Sequence, residues 1–180
     1  MFALRNEEEL EEFRNQRALI SVFLDRKYNP DKIRWIFEMK EGFDAHAGNA
    51  FHLLIPYKRG YAVNTELSEE NFDTELSAKI IKKLEINPID LPCLVFKIKQ
   101  DGVFFLKLGR KNRDEFLNEI AEIVEVAINF KSHGPEDPVL FQEYINKEVA
   151  RHLLKKNILS TAKEYIPSLK FFLGNFIKIT

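Results

Sequence analysis

The step Leu91-Pro92 opens the stretch that most constrains this chain. Asp90-Leu-Pro-Cys-Leu-Val-Phe-Lys-Ile98 is an apolar run entered through a proline. Val103-Phe-Phe-Leu-Lys-Leu108 is a second apolar run, just after Asp101-Gly102. A proline has no N–H to give to a sheet ladder, so it belongs at the first residue of a strand or at an edge. Asp-Gly between two strand-like runs reads as a hairpin turn. A helical pattern follows from Arg113 on. Strand, tight turn, antiparallel strand and helix thus stand in a set order, and the remaining residues must supply the sheet they join.

The flanking segments have the right patterns. Glu7 to Arg17 reads as a helix, with Asn6 as its N-cap and three acids in the first turn, where the helix dipole favours them. Ala18 to Leu24 is an apolar run of strand length, of the kind buried on both faces. Pro30 opens a helix carrying Ile33, Ile36, Phe37 and Phe43, which Gly48 ends. Ala50 to Tyr57 is a second strand, and residues 58–74 form a polar loop. Glu75 to Leu84 is a compact helix. Asp114 to Phe130 is a longer one, with Phe116, Leu117, Ile120, Ile123, Val124 and Ala127 on one stripe.

Lys131 to Pro138 holds two prolines and a glycine in a short polar run, the clearest boundary in the chain. We therefore expect a domain over residues 1–131, a linker over 132–138 and a helical extension over 139–180. In the extension, a helix from Val139 to Lys156 precedes a segment broken at Pro167 and rich in Phe171, Phe172 and Phe176. The extension carries seven basic against three acidic residues, although the whole chain has a net charge of −1.

That near-neutral balance exerts no global pull on nucleic acid. One cysteine among 180 residues excludes an internal disulfide framework and any cysteine-rich metal site, and makes the cytoplasm the expected compartment. The acidic start has no signal-peptide core, and no run approaches the roughly 18 apolar residues of a membrane span. His46, His52, His133 and His152 lack metal-ligand spacing, so a polar partner for each is the expectation. No glycine-rich phosphate loop or nucleophile elbow is present. No cofactor or metal is expected.

The order helix, strand, helix, strand, helix, strand, strand, helix, with its Leu-Pro entry to the third strand, resembles the thioredoxin-like fold over roughly residues 6–130. The resemblance implies an α/β protein, a three-layer α/β/α sandwich, here with a C-terminal helical extension. In that family a cis peptide before this proline lies beside a redox dithiol, and Pro92 fits the place. The dithiol follows the first core strand as Cys-Gly-Pro-Cys and a basic residue. Here that place reads Tyr28-Asn29-Pro30-Asp31-Lys32. The proline and lysine match, and both cysteine positions are filled by other residues.

Thiol–disulfide exchange needs a nucleophilic thiolate and a resolving thiol. Cys93, in an apolar strand, reads as packing. The expected function is then non-catalytic: a protein-binding or scaffold module. The resemblance places its binding edge along Tyr28, Asn29, Pro30, Asp31, Leu91 and Pro92, where backbone groups receive an extended peptide. Residues 139–180 are expected to dock on their own domain, or to hold a protein partner or a second copy of the chain through the C-terminal helices. The alternatives are a single-cysteine thiol oxidoreductase or transferase using Cys93, and attachment to a membrane surface through residues 139–180.

Overall fold

Leu19 to Leu24 forms a strand, β2, whose apolar residues point both ways. Only a strand deep inside a sheet can bury both sets. A computed structural model describes residues 1–26, 30–58, 67–99, 102–156 and 159–161, with the backbone alone at 14, 97–99, 102 and 159–161. In it β2 lies inside a six-stranded sheet with β1 (Phe2–Leu4), β3 (Phe51–Pro56), β4 (Cys93–Lys99), β5 (Gly102–Lys107) and β6 (Leu159–Thr161). Their order is β1-β3-β2-β4-β5-β6. The first three are parallel, whereas β4, β5 and β6 each pair antiparallel with the preceding neighbour in that order.

Alternation along the strands sends side chains to two apolar clusters. Leu19, Phe23, Leu94, Phe96, Phe104 and Leu106 face one side, under α2 (Pro30–Glu38), α3 (Lys40–Ala47), α5 (Arg113–Lys131) and α6 (Pro138–Lys155). Val22, Leu24, Leu54, Cys93, Val95 and Phe105 face the other, under α4 (Thr74–Lys83) and the half-buried Leu10 and Phe13. Helices on both faces of a mixed sheet make the chain an α/β protein.

The helix starts follow their caps. Asp73 Oδ1 accepts the Glu75 and Leu76 N–H groups at 3.0 and 2.9 Å. Asn112 and Glu115 form a reciprocal capping box, and Asp137 accepts from the Leu140 N–H. Asn6, the expected N-cap, stands two residues before the actual one: Glu8 flanks α1 without a side-chain cap bond, and Asn6 Oδ1 accepts the Glu9 N–H at 3.0 Å from further out. The helix is also much shorter than expected: α1 covers only Glu9–Glu12 before a 3₁₀ turn at Phe13–Asn15, because Gln16 is already extended on the way into β2. The helix expected to run from Pro30 to Gly48 divides at Met39 into α2 and α3.

Residues 132–137 are the turn between α5 and α6, and Pro138, expected in the linker, is already the first residue of α6. Arg17 pins the turn, donating to the carbonyls of Lys131, Gly134 and Pro135 at 2.9, 2.8 and 2.7 Å, with its guanidinium 4.9 Å from the Phe141 ring centre. Beyond the turn, Phe141, Ile145, Val149 and Leu153 of α6 are fully buried in the same cluster as the sheet. The Phe-rich run at Phe171, Phe172 and Phe176 lies outside the described residues. Among the described residues no helix is long and apolar enough to cross a membrane.

Candidate functional site

The sheet brings the end of β2 and the start of β4 to one edge, because Leu24 pairs with Cys93. Asp25 and Pro92 follow and precede those partners. Pro30 and Asp31 begin α2 at the same end of the sheet, both exposed, with Asp31 paired to Arg34. Tyr28 and Asn29, which complete the expected edge, lie outside the described residues.

The Leu91–Pro92 peptide bond is cis. Its surroundings are tightly fitted. The Leu108 N–H donates to the Pro92 carbonyl at 2.8 Å, and the Lys107 ammonium pairs with Asp90 at 2.6 Å. A Cβ at position 109 would stand 2.2 Å from the Leu91 carbonyl oxygen, so only Gly109 allows this approach. The Leu91 N–H donates to the Pro88 carbonyl over a long 3.3 Å. Leu91 itself is buried, and the large exposed side chain of this loop is Ile89, at 68%.

Cys93 is fully buried among Leu24, Leu76, Ile80, Ile81 and Leu91. Burial pushes its thiol pKa well up, and the charges of Asp25 and Asp90 push it further. A thiol that keeps its proton and meets no solvent is not a nucleophile.

Asp25 is only 1% exposed. Its backbone N–H donates to Ser77 Oγ at 3.1 Å, and the Ser77 hydroxyl donates to its carbonyl at 2.7 Å, tying the end of β2 to α4. The carboxyl is less well served. Oδ1 accepts the Arg26 N–H, whereas Oδ2 is buried without a partner among the described residues. Desolvation accordingly raises its pKa to about 6. In the sequence Asp25 reads as a loop acid, since nothing near it signals that α4 will cover it.

The histidines do not converge. His46 pairs with Glu125, His152 with Glu122, and His133 lies against the Asn129 carbonyl. His52 departs from the expectation of a polar partner: its Nδ1 is buried and unpaired among the described residues, and Phe2 and Phe13 pack on the ring with centres 4.7 and 6.1 Å away. Burial, with Lys131 and the N-terminal ammonium nearby, lowers its pKa to about 4. Among the described residues no group of three or more His, Cys, Asp or Glu side chains is placed to hold a metal ion.

Sequence reasoning missed a groove on the α4 face of the sheet. It has a volume of about 320 Å³ and is lined by Leu10, Ile20, Ile80, Leu84, Val95 and Val103. Its residues come from α1, α4, three strands and, through Gln142, α6, so no local pattern announces it. It lies toward the start of β2, away from the Cys93 end. Glu7 on its rim pairs with Lys79 and Lys83.

Comparison with protein-family models, with curated proteins and with solved structures finds no match to this chain.

Proposed function

We propose that this chain is a non-catalytic thioredoxin-like module that holds an extended segment of a protein partner at its cis-proline edge. The observation that carries the reading is the sealed thiol: Cys93 is wholly buried and its pKa is driven upward. The strand order, the antiparallel entry of β4 after a cis Leu91–Pro92 bond and the helices on both faces support the thioredoxin-like assignment. Exposed Ile89 offers the apolar contact. The long Leu91 N–H bond is the backbone group most readily exchanged for a peptide carbonyl, since hydrogen bonds weaken with length.

The test is a titration of Cys93 with a thiol reagent between about pH 5 and 9, native and in denaturant. The native thiol is expected to stay silent and to react only on unfolding. Fast reaction of the native protein near neutral pH overturns the reading and puts thiol chemistry in its place. For binding, Ile89→Asp is expected to abolish partner co-purification, and Cys93→Ala to leave it intact. Loss in the cysteine variant alone would return the function to the thiol.

A further inference from the structure

The groove between α1 and α4 is apolar, open and unassigned. We propose that its occupant is the chain's own C-terminal segment, residues 162–180, folded back over the sheet.

The first ground is where the chain leaves the sheet. In the β5–β6 pair Thr161 stands opposite Phe104. Val103, the next residue of β5 in that direction, forms one side of the groove. Adjacent strands are about 4.8 Å apart, and an extended residue spans about 3.3 Å. A few residues beyond Thr161 therefore suffice to cross β5 and β4 and reach Ile20 and Leu10.

The second ground is chemistry. The segment holds Tyr165, Ile166, Leu169, Phe171, Phe172, Leu173, Phe176 and Ile177. An apolar surface of that size needs cover in water. The groove takes about two aromatic side chains, at the small end of ligand-site volumes. Glu7, Glu11 and Lys83 line it, a net negative rim opposite in sign to the segment, which carries Lys163, Lys170 and Lys178 against Glu164.

The third ground is tethering. A covalently linked segment meets its groove at an effective concentration in the millimolar range, well above that of a free partner. The apolar stripe of α6, the other candidate surface of the C-terminal region, is already spent in the core.

The test uses the full chain with Phe172 replaced by photoreactive p-benzoylphenylalanine. Irradiation is expected to give intramolecular adducts at Leu10, Ile20, Leu84 or Val103. Adducts elsewhere on the chain, adducts between two copies, adducts only to added phosphatidylglycerol vesicles, or no adduct at all each overturn the proposal. A second readout is tryptic cleavage after Lys170. The half-buried groove residues Leu10 and Leu84 are changed to Glu in separate variants, and cleavage is expected to speed up by about tenfold, as local opening becomes easier. Equal cleavage in the parent and in folded variants contradicts docking.

Discussion

Two buried titratable side chains pull the acid stability of this protein in opposite directions. Asp25 has a folded pKa of about 6, above its ordinary value of 3.8. The folded state holds its proton more tightly, so stability from this group falls as pH rises from about 4 to about 6. His52 has a folded pKa of about 4, below its ordinary 6.5. The unfolded state binds that proton first, so stability from this group falls as pH drops from about 6.5 to about 4. Each shift spans about two units, or roughly 3 kcal/mol at about 1.4 kcal/mol per unit. The two slopes largely cancel in the parent. Asp25→Asn is expected to raise stability near neutral pH by about 1–3 kcal/mol and to expose the histidine slope. His52→Phe, which suits the Phe2 and Phe13 cage, is expected to expose the opposite slope. Denaturant unfolding at a series of pH values measures both, and profiles parallel to the parent's would show that neither group titrates as assigned.

At the scale of elements, the end of α4 carries an avoidable cost. Glu85 has a φ of +52°, a left-handed conformation in a non-glycine residue. Its N–H donates to the Lys82 carbonyl and the Ile86 N–H to the Ile81 carbonyl, at 3.2 and 3.1 Å. These are the two bonds of a Schellman stop, and Ile86 packs in the same buried cluster as Ile81. A side chain in that conformation costs about 1–2 kcal/mol, part of which returns as unfolded-state entropy when glycine replaces it. Glu85→Gly is expected to raise unfolding stability by about 0.5–1 kcal/mol with an unchanged denaturant slope. A loss of stability would mean that the Glu85 side chain contributes more than its backbone costs.

For the whole molecule, α6 is a structural member of the core. Its Phe141, Ile145, Val149 and Leu153 are fully buried against the sheet and α5. At about 1.5–3 kcal/mol for each side chain, their burial amounts to roughly 6–12 kcal/mol. That is comparable to the entire net stability of a domain, about 5–15 kcal/mol. A chain ending at Lys131 is expected to lose cooperative unfolding and to expose apolar surface that binds a fluorescent dye. A sharp, parent-like transition in that truncation would show that α6 is dispensable. Arg17 adds a tie between distant parts of the chain, holding the α5–α6 turn by three carbonyls.

Much of this architecture is legible in the residues themselves. The two-sided apolar run at Leu19–Leu24, the Leu-Pro entry to β4, the stripe of α5 and the Asp137-Pro138 start of α6 each follow from local preferences or periodicity, and these act over a few residues. Other features have no local signature. β1 is only Phe-Ala-Leu, too short for a period, and exists because β3 offers it a parallel ladder. β6 exists only as a partner for β5. The break at Met39 interrupts a pattern that reads as continuous. Of the candidate edge, the sequence determined the Leu91-Pro92 step and the exposed start of α2, but Asp25 reads as a solvated acid until α4 and Ser77 cover it. The groove joins α1, α4, α6, β2, β4 and β5. Tertiary structure alone decided these, because strand pairing, the burial of a polar group and the shape of a cavity depend on which distant segments the fold brings together.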